Sequence, residues 1–323
     1  MLFRSRRRYR QGCVVKPRAV VFGHHDVGDR CLRTLISQGW DVPLVVAHDP
    51  DPSEPRWYVD VAETANEHDI PVLRPTQSEL GQLERTLSQL RPDFIFSFYY
   101  RAMLGEEVLQ RARRGALNMH GSWLPKYRGR APVNWAILNG ELETGATLHY
   151  MSGRADAGDI VDQLAVPILA DDTAFQVMRK VAVAAEIVLC RALPLLAAGK
   201  APRVPQRVSD SDYFGRRSPE DGRIDWSWPA ARIHNLVRAV APPYPGAFAD
   251  VNAERWWIHR TQLVPGRIEQ DLRPRLFEES GRCYIGCSDG RVLRFMAGAV
   301  DGKPLDLERL AKHLERQTRL LRA

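Results

Sequence analysis

The stretch GALNMHGSWLPKYRGRAPVNWAILNGELETGATLHYMSGRADAGD, residues 115–159, packs more polar side chains between short apolar runs than any other part of the chain. Its opening run, residues 116–119, is entered from Gly115 and left through Gly121, which predicts a buried strand. Asn118 and His120 lie two apart on that run. Side chains alternate between the faces of a strand, so an amide and an imidazole are expected on one face at the carboxyl end. Open α/β sheets carry their sites at that edge.

Outward from this stretch, strands are predicted at 19–22, 42–46, 71–73 and 93–98, with helical patterns at 58–68 and 78–90 between them. Alternating strands and helices imply a mainly parallel, wound α/β sheet. The first strand runs into the turn Gly23-His24-His25-Asp26-Val27-Gly28, which lacks the G-x-G-x-x-G pattern of a dinucleotide site. Downstream, 159–168 reads as a strand, and Asp172 or Thr173 as the cap of a long apolar helix that stops at Gly199. Two prolines between 200 and 205 mark a linker. Beyond it, short segments at 247–251, 256–262, 283–287 and 292–296 predict a small barrel-like β domain. Leu307, Leu310, Leu314 and Leu321 mark one face of a closing helix. The expected organisation is a basic extension over 1–17, a catalytic domain over 18–205 and a C-terminal β domain over 206–323.

The chain has 323 residues, is 44% hydrophobic and carries a net charge of +7. Six of those charges sit in residues 1–16, which hold no acid, so the remainder is close to neutral. A clustered basic face of the kind that binds nucleic acid is therefore not expected from the folded part. No run of about 18 apolar residues and no leader pattern is present, which excludes a membrane partner and predicts a cytoplasmic protein. The five cysteines, Cys13, Cys31, Cys190, Cys283 and Cys287, are scattered and lack histidine partners, so free thiols and no metal are expected.

His120 is the candidate proton-transfer group, because imidazole titrates near the operating pH. Asp156, in the small-residue loop Gly153-Arg154-Ala155-Asp156-Ala157-Gly158, is its candidate orienting partner. Asn118 can donate to an oxyanion developing on a carbonyl. The arrangement calls for no serine or cysteine nucleophile, which suits acyl transfer to a substrate amine. A core histidine bonded to an aspartate is the plain alternative. Lys126, Arg128 and Arg130 could hold an anion or could line a solvated loop. Pro132 suits the first turn of a helix ending at Asn139-Gly140, with Asn134 and Trp135 as packing residues.

The segment LNMHGSWLPKYRGRAPVNWAILNGE, with TGATLHYM and RADAGDI downstream, resembles the signature of the folate-dependent formyltransferases. FSFYYR at 96–101, VVFGHHDVG at 20–28, FGRRSPEDGRIDW at 214–226 and PPYPGAF at 242–248 most resemble the formyltransferase half of the bifunctional enzyme that acts on UDP-4-amino-4-deoxy-L-arabinose. The resemblance implies a Rossmann-like domain followed by a small open β-barrel (OB-like) domain. It also implies 10-formyltetrahydrofolate as donor, an amino-sugar nucleotide as acceptor and lipid A modification as the setting. By the same resemblance Asn118, His120 and Asp156 are catalytic, and folate contacts fall on Ala102, Met103, Leu104, Arg130 and on Ser152, Gly153, Arg154, Ala155 and Asp156. Trp123 departs from the pattern by replacing a small aliphatic residue, which bears on the acceptor pocket. With the chain ending at Ala323, the oxidative half-reaction is expected of another polypeptide. Arg216 and Arg217 are the adjacent pair expected to meet the acceptor's phosphates. Methionyl-tRNA formyltransferase and a non-catalytic folate-binding protein are the alternatives.

Overall fold

The structure, a computed structural model, describes residues 16–49, 56–76, 80–209, 213–251, 254–300, 302–314 and 319–321. The basic extension up to residue 15, with Cys13, and the predicted helix start at Ser78 lie outside the described residues. The chain begins with β1 (Arg18–Gly23), α1 (His25–Ser37), β2 (Asp41–Val46), α2 (Val61–Glu67), β3 (Val72–Leu73), α3 (Leu80–Leu90), β4 (Phe94–Phe98), α4 (Glu106–Leu109) and β5 (Gly115–His120). It continues through β6 (Arg128–Gly129), α5 (Pro132–Leu138), β7 (Glu143–Tyr150), β8 (Ile160–Pro167) and α6 (Ala174–Ala197).

The first sheet runs β3-β2-β1-β4-β5-β7-β8. Strands β1 to β5 pair in parallel, whereas β7 and β8 are antiparallel. Parallel strands are covered on both faces, and this is why they read as continuous apolar runs. Alternation then divides them: Ala19 and Val21 face one core with α1 and α6, while Val20 and Phe22 face another with Leu83, Leu87 and Val108 of α3 and α4. On β4, Phe94, Phe96 and Phe98 stack along the first face, with ring centroids 6.0 and 5.4 Å apart. Truncating one such ring costs about 3–5 kcal/mol, so β4 forms a stiff wall beside β5. Helix α2 is shorter than its pattern suggested because the Asp60 side chain, accepting from Ala62 N, caps it.

Beyond β9 (Tyr213–Phe214), α7 (Ala230–Val240) and β10 (Ala247–Val251) lie β11 (Glu254–Ile268), β12 (Arg275–Glu279), β13 (Arg282–Gly286), β14 (Arg291–Val300), β15 (Lys303–Pro304), α8 (Leu307–Leu314) and β16 (Arg319–Leu320). Their order, β10-β11-β14-β13-β12-β16, leaves β10 and β16 unpaired with each other among the described residues. The barrel-like expectation thus becomes a curled antiparallel half-barrel, bent where β11 and β14 slip register. Leu321 is not on the closing helix: α8 stops at Leu314, and Leu321 is buried next to the β16–β12 pairing.

Helix α6 begins with a Thr173–Gln176 capping box, the second of the two caps expected. It contains Pro194, which has no N–H to give to the Cys190 carbonyl four residues earlier. Gln38, the C-cap of α1, supplies the missing donor: its Nε2 lies 3.0 Å from Cys190 O. Gln38→Ala is expected to cost about 0.5–1 kcal/mol, the low end for a hydrogen bond open to water. The penalty should vanish in a Pro194→Ala background, where the helix supplies its own donor; denaturant titration of the four proteins measures this.

Candidate active site

The site sits where β5 ends. Asn118 and His120 share a face of the strand, and antiparallel pairing puts His149 of β7 directly beside Asn118. After Tyr150 the chain loops out and returns, with Tyr150 N donating to Asp159 O at 2.8 Å. Gly158 closes this loop, since a Cβ there would run into the Tyr150 carbonyl. At the tip, Asp156 adopts φ 50, a left-handed conformation that aspartate tolerates better than most residues.

The Asp156 carboxylate is the hub of the cluster. Its Oδ1 accepts from Asn118 Nδ2 at 3.1 Å and lies 3.6 Å from His120 Nδ1 and 3.4 Å from His149 Nε2. Its Oδ2 accepts from the backbone N–H of Gly129 at 2.9 Å. Burial alone would raise this carboxyl's pKa. The charge of His120, a hydrogen bond and charge from His149 and the Gly129 amide outweigh it and hold the group well below the usual carboxylate range.

His120 is buried, and its Nε2 lies 2.8 Å from the Tyr127 carbonyl oxygen. A carbonyl only accepts, so Nε2 carries a hydrogen. Nδ1, facing Asp156, is left as the nitrogen that gains or loses the proton of a reaction. The same logic applies to His149, whose Nδ1 donates to Tyr150 O at 2.8 Å. Its Nε2 faces Asp156 Oδ1 at 3.4 Å and lies 3.2 Å from Asn118 Nδ2. Asn118 Nδ2 gives one hydrogen to Asp156 Oδ1, so its second amide hydrogen is the one that can turn to an oxyanion.

The loop over residues 121–130 is pinned from several sides. Thr147 Oγ1 donates to Ser122 O at 2.7 Å, Gln163 Nε2 to Leu124 O at 2.9 Å, and Tyr127 Oη to Glu141 Oε1 at 2.9 Å. Burial, with Glu141 close by, pushes the Tyr127 hydroxyl up to about 12. Each of the three loop cations meets a protein acceptor. Lys126 pairs with Glu141, Arg130 donates to Arg101 O at 2.9 Å, and Arg128, 1% exposed, donates to Ser209 O at 2.6 Å.

The expected folate segments lie side by side. Ala102, Met103 and Leu104 lead into α4, and Arg130 anchors the Arg101 carbonyl just before them. A Cβ on Gly153 would come within 3.2 Å of Glu106 Oε1, so residues 152–153 pass directly over the start of α4. Between them opens a cavity of about 320 Å³ floored by Gly115 and Ala116. Ser152 Oγ donates to Arg154 O at 3.1 Å and helps set the loop. Among the described residues no His/Cys/Asp/Glu group could hold a metal ion, and no helix is long and apolar enough to cross a membrane.

Arg216 and Arg217 follow β9, which pairs with β6 and so approaches the same loop. Arg216 is exposed. Arg217 is half-buried, its guanidinium 4.8 Å from the centre of the Trp135 ring, and it donates to Asp221 O at 2.8 Å. Trp135 Nε1 in turn donates to Gly215 O at 3.1 Å, and Asn134 donates to Ala239 O at 2.7 Å, so both are packing residues as expected. His149 and the Gly129 N–H are the members of the cluster that the sequence reading did not single out. The alternation of Thr147 and His149 in TGATLHYM is the signal that could have found the first.

A carboxyl held below its unfolded value stabilises the fold fully above that value, near 4, and the contribution is lost as pH falls through the folded one. Asp156→Asn is therefore expected to flatten the fall in melting temperature between about pH 5 and pH 2 relative to wild type. Parallel curves for the two proteins would mean the carboxylate is not held as described.

The Formyl transferase family model matches residues 17–193, and the model for the Formyl transferase C-terminal domain matches residues 216–314. An N-formyltransferase from Helicobacter canadensis, solved with folinic acid and dTDP-3-aminofucose, superimposes with a TM-score of 0.69 at 21% identity, over 87% of this chain and 99% of its own. WlaRD, a sugar 3N-formyltransferase solved with dTDP and 5-N-formyl-THF, gives 0.66 at 21% identity, over 90% and 100%. HypX from Aquifex aeolicus, in complex with tetrahydrofolic acid, gives 0.61 at 19% identity, over 91% and 46%. At these identities the neighbours speak for the fold, while the first family model alone covers more than half of the sequence. The chain belongs to the formyl transferase family.

Proposed function

We propose that the protein moves a formyl group from 10-formyltetrahydrofolate to the amine of an amino-sugar nucleotide. The observation that carries this reading is the convergence of Asn118, His120 and Asp156 with no serine or cysteine among the described residues bonded to His120. The acceptor must bring its own nucleophile. The amine nitrogen bonds to the formyl carbon while Asn118 stabilises the charge that develops on the formyl oxygen and His120 Nδ1 takes the proton shed by the amine; the bond from the formyl carbon to N10 then breaks, and that proton passes to N10 of the departing tetrahydrofolate. Asp156, already ionised, stabilises the resulting imidazolium. Residues 102–104, Arg130 and 152–156 hold the donor. The two sugar N-formyltransferases among the neighbours support the donor and the acceptor class. UDP-4-amino-4-deoxy-L-arabinose as acceptor, and lipid A modification as setting, rest on the four motifs at 20–28, 96–101, 214–226 and 242–248.

The deciding assay offers 10-formyltetrahydrofolate with a panel of amino-sugar nucleotides and, separately, charged initiator tRNA, and detects formyl addition by mass. Formylation of a nucleotide sugar is expected. Formylation of the tRNA alone, or folate binding without product from any amine, would contradict the proposal.

His120→Ala and Asn118→Ala are expected to keep their melting temperatures and lose at least about a hundredfold in turnover, the usual cost of removing a proton-transfer group or an oxyanion donor. Near-normal rates in both folded variants would remove them from the mechanism.

Changing Arg216 and Arg217 together to alanine should raise the acceptor's KM far more than the donor's, because the lost contacts are to non-reacting phosphates. Since Arg217 is already committed to Trp135 and Asp221, Arg216→Ala by itself should carry most of the effect. An unchanged acceptor KM would defeat the assignment.

A further inference from the structure

Gln206, the first residue past the proline-marked linker, reaches back to the loop that carries Asp156. Its Nε2 donates to Asp156 O at 3.1 Å and to Gly158 O at 2.6 Å. Both partners are carbonyls and can only accept, so the amide has one orientation. One side chain thus holds the main chain on either side of Ala157, where Asp156 keeps its left-handed φ of 50. The arrangement is costly for the glutamine, because its Oε1 is buried with no hydrogen-bond partner among the described residues. Stability alone does not favour a stranded acceptor, which points to a task for the Nε2 end.

The segment that begins with Gln206 also reaches the other end of the carboxylate. Ser209 O accepts from Arg128, β9 pairs with β6, and Arg130 N donates to Phe214 O at 2.9 Å. These contacts fix Gly129, whose N–H meets Asp156 Oδ2. Just ahead of Gln206, Val204 exchanges backbone hydrogen bonds of 2.8 and 3.0 Å with Ile160, where the loop rejoins β8. The titratable groups facing the carboxylate are His120 of β5 and His149 of β7, and Arg128 of β6 lies against the loop, its Nη1 3.5 Å from Ala155 O. Gln206 adds no charge to this set, so it acts on the carboxylate by placing it. We propose that Gln206 is a positioning residue: by gripping the carbonyls of Asp156 and Gly158 it sets the carboxylate against His120, and so ties the chain beyond residue 205 to the reaction. With Oδ1 3.6 Å from His120 Nδ1, a small turn of the loop decides whether that pair can close. The inference rests on the formyl transfer proposed above only for its kinetic test.

Gln206→Met keeps the length of the side chain and removes its amide, and two measurements on the full-length protein test its effect. The first is melting temperature against pH. A carboxyl held below its unfolded value stabilises the fold fully above that value and loses the contribution as pH falls. With the clamp removed, Gln206→Met should be least stable relative to wild type at about pH 7 and should close the gap as pH falls towards about 2. With Asp156→Asn in both proteins, the gap should no longer change with pH. A gap that is the same at every pH in proteins that retain Asp156 would overturn the inference, since a merely structural contact acts alike throughout. The second measurement is the maximal rate at saturating donor and acceptor, followed in single turnovers. Gln206→Met is expected to lose about tenfold to a hundredfold, the scale of a small misplacement in an active site, with the acceptor's KM unchanged. Combined with Asp156→Asn it should add little to the loss that change already causes, because the clamp acts through the carboxylate. Penalties that multiply, or an unchanged rate, would overturn the inference while leaving the formyl transfer standing. A wild-type protein that formylates no amine would overturn the proposed function, and the melting curves would then decide this inference alone.

Discussion

A buried carboxylate must be satisfied or it will not stay charged, and much of the site's construction follows from how Asp156 is satisfied. One oxygen takes an amide hydrogen from Asn118 and faces two imidazoles; the other takes the N–H of Gly129. Those partners come from β5, β7 and the loop between them, so the charge ties three segments into one geometry. Removing one partner would leave a desolvated charge, a cost of several kcal/mol in typical proteins. Gly129 itself sits at φ 97, with the Phe214 carbonyl where a Cβ would be, so the β6–β9 pairing also reports to the carboxylate.

This dependence explains why the loop over 121–130 is held so firmly although it belongs to no long element. The Tyr127 carbonyl fixes the His120 ring, and the Tyr127 side chain is fixed in turn by Glu141 and Asn139. Arg128 is buried beneath the loop and donates outward to Ser209, past the end of the first sheet. The stacked phenylalanines of β4 and the packing of α1 against α6 keep the floor still. The groups proposed to be catalytic need only small movements: His120 and Asp156, 3.6 Å apart, must close by less than an ångström to hydrogen-bond.

Much of this was legible from the residues. The parallel strands announced themselves because burial on both faces leaves no polar position, and Asn118 and His120 stood out as the polar exceptions on one such run. Thr173, the proline-opened α5 and its Asn139-Gly140 stop follow local capping rules that need no tertiary knowledge. His149 was hidden because its place beside Asn118 exists only once β5 and β7 pair in one register. The fate of Arg128 was hidden for a related reason: a cation in a loop rich in Gly, Pro and Lys looks solvated until the chain beyond residue 206 folds back over it. Register slips between β11 and β14 likewise bend the second sheet without leaving a pattern in its short apolar segments.

The account turns on the site being assembled around Asp156 for acyl transfer to an amine, and a crystal structure of the ternary complex with 5-formyltetrahydrofolate and an amino-sugar nucleotide tests that most directly. The account predicts the formyl oxygen within about 3 Å of the Asn118 amide nitrogen, and the sugar amine facing the formyl carbon within reach of His120 Nδ1. Density placing the formyl group or the amine away from both side chains, with the Asp156 cluster intact, would contradict it.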